Sequence, residues 1–318
     1  MTDKKLSSSI ADAMVNVAEM AAIASYTEVG RGDEKQADQA AVDAMRTALN
    51  AVEMQGRIVI GEGERDEAPM LYIGEEVGTG TGPEIDIALD PLEGTTLTAK
   101  AMPNALAVLA ISTRGGLLHS PDVYMDKIAI GPGYEKGLVN IDATPAENIT
   151  AMAIAKGVEV RQMTACVLDR PRHSGIIENL RSVGARIALI TDGDVAGVIN
   201  TTDAATGIDL YVGSGGAPEG VLAAAALKCV GGQMQGRLTF RNDEERGRAE
   251  RTGITDLNRI YDLNELASGD TVFCAAGVTN GDLLDGVRVE TGFVHTETLV
   301  MSSFDGLVRR VRSKRRVS

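Results

Sequence analysis

Short runs of β-branched and apolar residues alternate along the chain with amphipathic stretches, and glycine punctuates the junctions. That alternation restricts the fold to layers of sheet and helix, an α/β or α+β protein. The β-like runs are 57–60, 85–89, 106–112, 127–130, 164–168, 186–190, 208–212, 238–240, 271–275 and 296–301. Helical spacing sets Ile10, Met14, Val17 and Ala21 on one face, behind the N-capping serines 7–9. A second helix is expected over 36–52, with Val42, Met45, Leu49 and Val52 as its apolar stripe. Further helices are expected at 144–156, 175–183, 218–229 and 258–267. At roughly 100–200 residues per domain, 318 residues suggest two domains. The break is expected after the 144–156 helix, giving residues 1–158 and 159–318.

Charge narrows the function. There are 45 acidic against 31 basic side chains, a net charge of −14, with no Trp, which disfavours nucleic acid as a partner. No apolar run approaches the ~20 residues that span a bilayer, and the N-terminus lacks a hydrophobic signal core, so a cytoplasmic protein that binds no membrane is expected. Cys166, Cys229 and Cys274 lie far apart in apolar runs and read as reduced core residues. The basic cluster Arg309, Arg310, Arg312, Lys314, Arg315 and Arg316 reads as a solvated tail.

Carboxylates stand where a core or a crowded turn should be. Asp38 lies four residues before Val42 and extends its apolar stripe, a position that calls for a compensating partner. Glu62 and Glu64 sit in Gly61-Glu62-Gly63-Glu64, directly after the run 57–60, where α/β sheets build sites at strand ends. Asp90 ends the apolar run 85–89 in Asp90-Pro91-Leu92-Glu93-Gly94-Thr95, where Pro91 is expected to stop the ladder. Asp and Glu three apart across a Pro turn can converge on one hard cation such as Mg²⁺ or Mn²⁺, with a Thr hydroxyl beside it. The glycine-rich Gly213-Ser214-Gly215-Gly216 precedes Ala217-Pro218-Glu219 and a helix. Such loops often cradle phosphate, yet the Glu219 carboxylate would repel it unless a cation intervened. Arg170, Pro171, Arg172 and His173 follow the run 164–168, where paired arginines suit a phosphate. Asp192-Gly193-Asp194 closes the next run and offers acceptors for hydroxyls, or a plain turn. No nucleophile-elbow or P-loop pattern competes.

Taken together, these residues resemble the bacterial class II fructose-1,6-bisphosphatases, within the magnesium-dependent, lithium-sensitive sugar phosphatases. The resemblance runs through Gly30-Arg31-Gly32-Asp33, Ala37-Asp38, Ile60-Gly61-Glu62-Gly63-Glu64, the stretch 66–75, Asp90 to Thr95, the stretch 121–125, Pro171-Arg172-His173, Asp192 to Asp194, Gly215 to Gly220 and Gly281 to Leu284. It implies a layered αβαβα sandwich of two domains, the first binding metal and the second supplying sugar-phosphate contacts and Glu219. It implies Asp38, Glu62, Asp90, Glu93 and Glu219 as ligands of Mg²⁺ or Mn²⁺. It also implies catalytic roles for Thr95, Asp38 and Glu62. Substrate contacts would come from Glu93, Gly94, Thr95, Tyr124, Arg170, Pro171, Arg172, Asp192, Gly193, Asp194 and Gly216. The activity implied is hydrolysis of the 1-phosphate of fructose 1,6-bisphosphate, a gluconeogenic step, by a cytoplasmic homo-oligomer (dimer or tetramer). A dual enzyme also cleaving sedoheptulose 1,7-bisphosphate, another sugar or inositol phosphatase, and a non-catalytic sugar-phosphate sensor remain alternatives. Arg170 stands where relatives often carry Lys, Glu34 precedes Lys35 after the Gly-Arg-Gly-Asp stretch, and Thr96 replaces Arg; these departures bear on substrate range.

Overall fold

The computed structural model describes residues 6–63 and 70–316. The chain divides into two compact units, residues 1–118 with 268–318, and residues 119–267. The first unit opens with α1 (Ser8–Tyr26), α2 (Glu34–Asn50), β1 (Gln55–Ile60), β2 (Glu76–Val77), β3 (Glu84–Glu93), α3 (Thr95–Ala99) and β4 (Leu106–Thr113). The second comprises β5 (Tyr124–Ile130), α4 (Pro145–Lys156), β6 (Thr164–Leu168), α5 (Ser174–Ser182), β7 (Arg186–Ile190), α6 (Asp194–Ile199), β8 (Leu210–Gly216), α7 (Ala217–Val230), β9 (Gln233–Thr239), α8 (Asp243–Arg251), β10 (Ile260–Asp262) and α9 (Leu263–Leu266). The chain then returns to the first unit as β11 (Thr271–Gly277), β12 (Arg288–Glu290), β13 (Phe293–Ser302) and β14 (Val308–Arg316). Two sheets and nine helices among the described residues make this a mixed α/β fold.

In the first unit the sheet runs β12-β13-β11-β4-β3-β1-β2. Only the β1–β3 pair is parallel among its described ladders. Residues two apart form one buried face: Ile85, Ile87 and Leu89 of β3, Ala107, Leu109 and Ile111 of β4, Val272, Cys274 and Ala276 of β11. Against it pack Met14, Val17, Ala18 and Ala21 of α1 and Ala41, Met45 and Leu49 of α2, the period of 3.6 meeting the period of 2. The C-terminal basic cluster is not a solvated tail. Residues 308–316 pair with β13 over its whole length, on the side away from β11 and β12, as an edge strand. Arg315 reaches Glu19 (3.1 Å) and Arg312 reaches Glu297 (2.9 Å), two buried carboxylates, so the charge that suggests a tail is balanced in the fold.

The second unit holds a six-stranded sheet, β10-β9-β5-β8-β6-β7, with β6 parallel to β7 and β8. One face packs Ile128, Ile130, Ala165, Val167, Leu210 and Val212 against Ile149, Met152 and Ala153 of α4 and Ile177 and Leu180 of α5. This shared core spans residue 158, so α4 and β6 belong to one body and the chain does not divide there. The expected helix 258–267 is instead strand β10 followed by the single turn of α9, capped by Asp262.

Candidate active site

The carboxylates of the first unit come from three places. Asp38 lies on the second turn of α2, next to buried Ala37, and is itself half-buried. Glu62 follows β1 by two residues, its N–H donating to the Leu71 carbonyl (3.1 Å). Burial, then the negative charge of Asp38, pushes the Glu62 carboxyl up to about 7. Burial likewise raises the Asp38 carboxyl. A buried carboxylate whose ionisation is opposed by a second one is what a divalent cation would relieve. Glu64 lies outside the described residues, as do residues 66–69 of the stretch 66–75.

Asp90 and Glu93 occupy a bulge, not a strand end. β3 continues through Pro91 to Glu93, pairing Asp90 with Val108 and Glu93 with Leu106. Three steps on β3 thus oppose two on β4, and the extra residue absorbs the proline that cannot donate to a ladder. The Asp90 Oδ1 accepts from the Leu92 N–H (3.1 Å), which fixes the turn of the bulge. Glu93 is buried at 6% exposure. Gly94 then caps α3 at φ 91°, where a Cβ would lie 2.8 Å from the Leu97 Cδ1, so the turn that delivers Thr95 to the first position of α3 requires glycine. Thr96 is tied to Glu34 (2.9 Å) on the first turn of α2.

In the second unit the substrate candidates surround β5, β6 and β8. Tyr124 begins β5, and two guanidinium carbons stand 5.0 Å from its ring centroid, those of Arg172 and Arg241. Arg172 donates through Nε (3.0 Å) and Nη2 (2.7 Å) to the Ser214 carbonyl. Arg170 lies 4.0 Å from Asp192 and donates to its neighbour's carbonyl, that of Asp169 (3.2 Å). Pro171 starts the short 3₁₀ turn 171–173. His173 is not a ligand-facing group: it is 1% exposed, its Nε2 accepts from the Ser214 N–H (2.8 Å), and its Nδ1 therefore donates to the Leu168 carbonyl (2.7 Å).

Asp192 is half-buried and Gly193 adopts φ 81°. Asp194, by contrast, is buried at 7% exposure and its carboxylate pairs with Lys127, itself 1% exposed. The Lys127 ammonium also donates to the Gly216 carbonyl (2.7 Å). The glycine-rich segment is therefore moulded around a buried lysine. A Cβ on Gly216 would sit 1.9 Å from the Glu219 Oε2, so that glycine makes room for the Glu219 carboxylate. Glu219 stands in the first turn of α7; burial and Asp194 raise its pKa while Lys127 opposes them. Its Oε2 is buried and has no hydrogen-bond partner among the described residues. A buried carboxylate oxygen without a donor is a poor end state, and a cation is the ligand it suits. Lys127 and Arg241 are absent from the sequence-derived set. A lysine sharing its strand face with Met125 and Ala129 is the one signal that could have pointed to Lys127; Arg241 carries none beyond Glu245 four residues on.

Among the described residues, no three or more His, Cys, Asp or Glu side chains draw close enough together to hold a metal. The three cysteines are buried and unbridged, as core residues should be. No helix is long and apolar enough to cross a membrane among the described residues.

Comparison with known proteins adds lineage to this geometry. A D-fructose 1,6-bisphosphatase class 2/sedoheptulose 1,7-bisphosphatase of Synechococcus sp. (strain JA-2-3B'a(2-13)) is 47% identical over 94% of this chain and 93% of its own. A protein of the same name from Prochlorococcus marinus (strain NATL1A) is 47% identical over 93% and 92%. Among solved structures, the extragenic suppressor protein suhB of Bartonella henselae shares 14% identity across 62% of this chain and 75% of that one, with a TM-score of 0.35, too low to bear weight. Residues 8–315 match the model of a family described as bacterial fructose-1,6-bisphosphatase, glpX-encoded. A match of that extent takes in both sheets and every acidic candidate, so the chain belongs to the bacterial, glpX-encoded fructose-1,6-bisphosphatase family.

Proposed function

We propose that this chain hydrolyses the 1-phosphate of fructose 1,6-bisphosphate, releasing fructose 6-phosphate and inorganic phosphate. The family match over residues 8–315 carries the reading. Support from the residues comes from the β3 bulge, which holds Asp90 and Glu93 at the end of the strand that leads through Gly94 to Thr95. Asp38, Glu62, Asp90, Glu93 and Glu219 would hold Mg²⁺ or Mn²⁺; the raised pKa of Glu62 and the donorless Oε2 of Glu219 suit that role. Bound there, such cations supply a water of lowered pKa and offset the charge of the phosphoryl group.

The chain's own groups do the positioning. Thr95 orients the attacking water for in-line displacement. The start of α7 offers the phosphoryl group few donors, because the Ala217 N–H is spent on the Val123 carbonyl (2.8 Å) and Pro218 has none. Tyr124, Arg170 and Arg172 hold the phosphate that remains. Of the Asp192-Gly193-Asp194 stretch, Asp192 is the better acceptor for sugar hydroxyls, because the Asp194 carboxylate is engaged by Lys127; Asp194 acts through that lysine and the Gly216 carbonyl. The cytoplasmic homo-oligomer implied by the family is part of the same proposal.

A second reading, a dual enzyme that also cleaves sedoheptulose 1,7-bisphosphate, is favoured by the names its relatives carry. Phosphorus NMR of a reaction with fructose 1,6-bisphosphate decides the first reading. The expected product keeps its 6-phosphate resonance while inorganic phosphate grows; fructose 1-phosphate as product would overturn it. Matched kcat/KM values for the two bisphosphates would establish the dual enzyme, and a preference above about a hundredfold for the six-carbon substrate would exclude it.

A further inference from the structure

We propose that Arg241 is a specificity-determining residue of this enzyme, binding the phosphate that is not cleaved, together with Arg172. The inference deepens the function proposed above and rests on it. Its basis is a cluster in the second unit. The guanidinium carbons of Arg172 and Arg241 stand at the same 5.0 Å from the Tyr124 ring centroid, so they are separated by no more than twice that distance. Each is immobilised by one edge. Arg172 spends Nε and Nη2 on the Ser214 carbonyl. Arg241 spends Nε (2.6 Å) and Nη2 (2.5 Å) on Glu245, whose second oxygen accepts the Arg241 backbone N–H (2.7 Å). Nη1 of each arginine makes no hydrogen bond among the described residues.

Charge arithmetic favours an anion here. Glu245 is 1% exposed and is shared between Arg241 and Arg248 (3.9 Å), so one carboxylate serves two guanidinium groups. With Arg172 anchored to a neutral carbonyl, three guanidinium groups stand against the carboxylates of Glu245 and Asp122, so the cluster keeps net positive charge in a protein whose overall charge is −14. Guanidinium groups stacked on an aromatic ring and fixed along one edge are pre-organised, so less side-chain entropy is lost when a phosphate arrives. The Tyr124 hydroxyl adds a further donor to the cluster. In the sequence Arg170 and Arg172 pair for a phosphate; the fold adds Arg241, from the loop after β9, beside the same tyrosine as Arg172.

Fructose 6-phosphate is the direct probe, since its only phosphate is the remote one. Titration calorimetry should show Arg241→Met weakening fructose 6-phosphate binding tenfold to a hundredfold, the loss expected for one charge-assisted contact. KM for fructose 1,6-bisphosphate should rise by a similar factor with kcat changed less than about threefold. For fructose 1-phosphate, which carries only the scissile phosphate, KM should change less than about threefold. Arg241→Lys keeps the charge without the planar fork and should lose less than Arg241→Met. It also serves should the methionine variant fail to fold. Unaltered fructose 6-phosphate binding in a folded variant, or equal losses on both monophosphates, would overturn the role of Arg241. Wild-type protein that releases no phosphate from the bisphosphate would overturn the underlying function instead, before any variant is made.

Discussion

Replacing Lys127 with methionine tests the buried pair at the root of α7. Methionine retains most of the aliphatic stem that packs beside Gly220, so the apolar loss is small, under about 1.5 kcal/mol for a volume-conserving change. The dominant effect is electrostatic. Asp194, at 7% exposure, loses its only ion-pair partner among the described residues, and the Gly216 carbonyl loses its ammonium donor. Breaking a buried pair from one side costs about 3–5 kcal/mol, because a charge is left without compensation. In a unit of this size each kcal/mol moves the melting temperature by about 2–4 °C, so Lys127→Met should melt about 6–20 °C below wild type. Differential scanning calorimetry at neutral pH reads this directly. The double variant Lys127→Met with Asp194→Asn removes both charges and should recover part of the loss, since an asparagine costs far less to bury than a lone carboxylate. A single variant melting within 2 °C of wild type, or a double variant less stable than the single, would refute the reasoning.

Three further expectations concern the reacting end, a histidine and the last strand. Thr95→Ala should lower kcat by roughly 10²–10⁴-fold with little change in KM, as for a group used mainly in the transition state; an effect confined to KM would make Thr95 a binding residue. His173 is held neutral, its pKa lowered first by burial, so the unfolded chain binds a proton that the folded one refuses. Its contribution to stability is complete above the ordinary histidine range and declines as pH falls below about 6.5 toward its folded pKa, by at most about 1.4 kcal/mol per pH unit. Chemical denaturation across that range should show the slope, and His173→Gln should flatten it. Deleting residues 307–318 should leave buried Glu19 without Ser313 (2.5 Å) and Arg315, and β13 with an open edge. The truncated chain should therefore aggregate or melt at least 6 °C lower, whereas a dispensable tail would leave melting unchanged.

Much of the fold is legible in the sequence because its strands are dense in β-branched residues and its first helices show a clear apolar stripe. Residues 8–26 are helical as expected, and the second helix begins only two residues earlier than its stripe suggests. The misreadings have local causes. In 258–267, Ile260 and Tyr261 fit a helix spacing, but pairing with β9 claims them for a strand. Helix α8 is not legible in the sequence because it buries only Glu245 and Ala249 and has no apolar stripe. The basic run 309–316 hides a strand because only Val311 and Ser313 alternate with charges whose partners, Glu19 and Glu297, are distant in sequence. Nothing local signals that 268–318 rejoins the first unit, since that depends on β11 pairing with β4. The acidic candidates were visible because carboxylates on an apolar stripe or after a buried strand break a pattern. Arg241 was invisible because its role depends on Tyr124, more than a hundred residues away in sequence.

With the ligand set proposed above, the acidic groups at 38, 62, 90, 93 and 219 should make turnover depend on a divalent cation. Phosphate release from fructose 1,6-bisphosphate by chelator-treated protein, before and after adding Mn²⁺ or Mg²⁺, tests it most directly, with Asp90→Asn measured alongside. No release is expected without cation, with turnover restored on adding it and no measurable turnover from a folded Asp90→Asn at saturating cation. Turnover that survives chelation, or a near-normal Asp90→Asn, would contradict it.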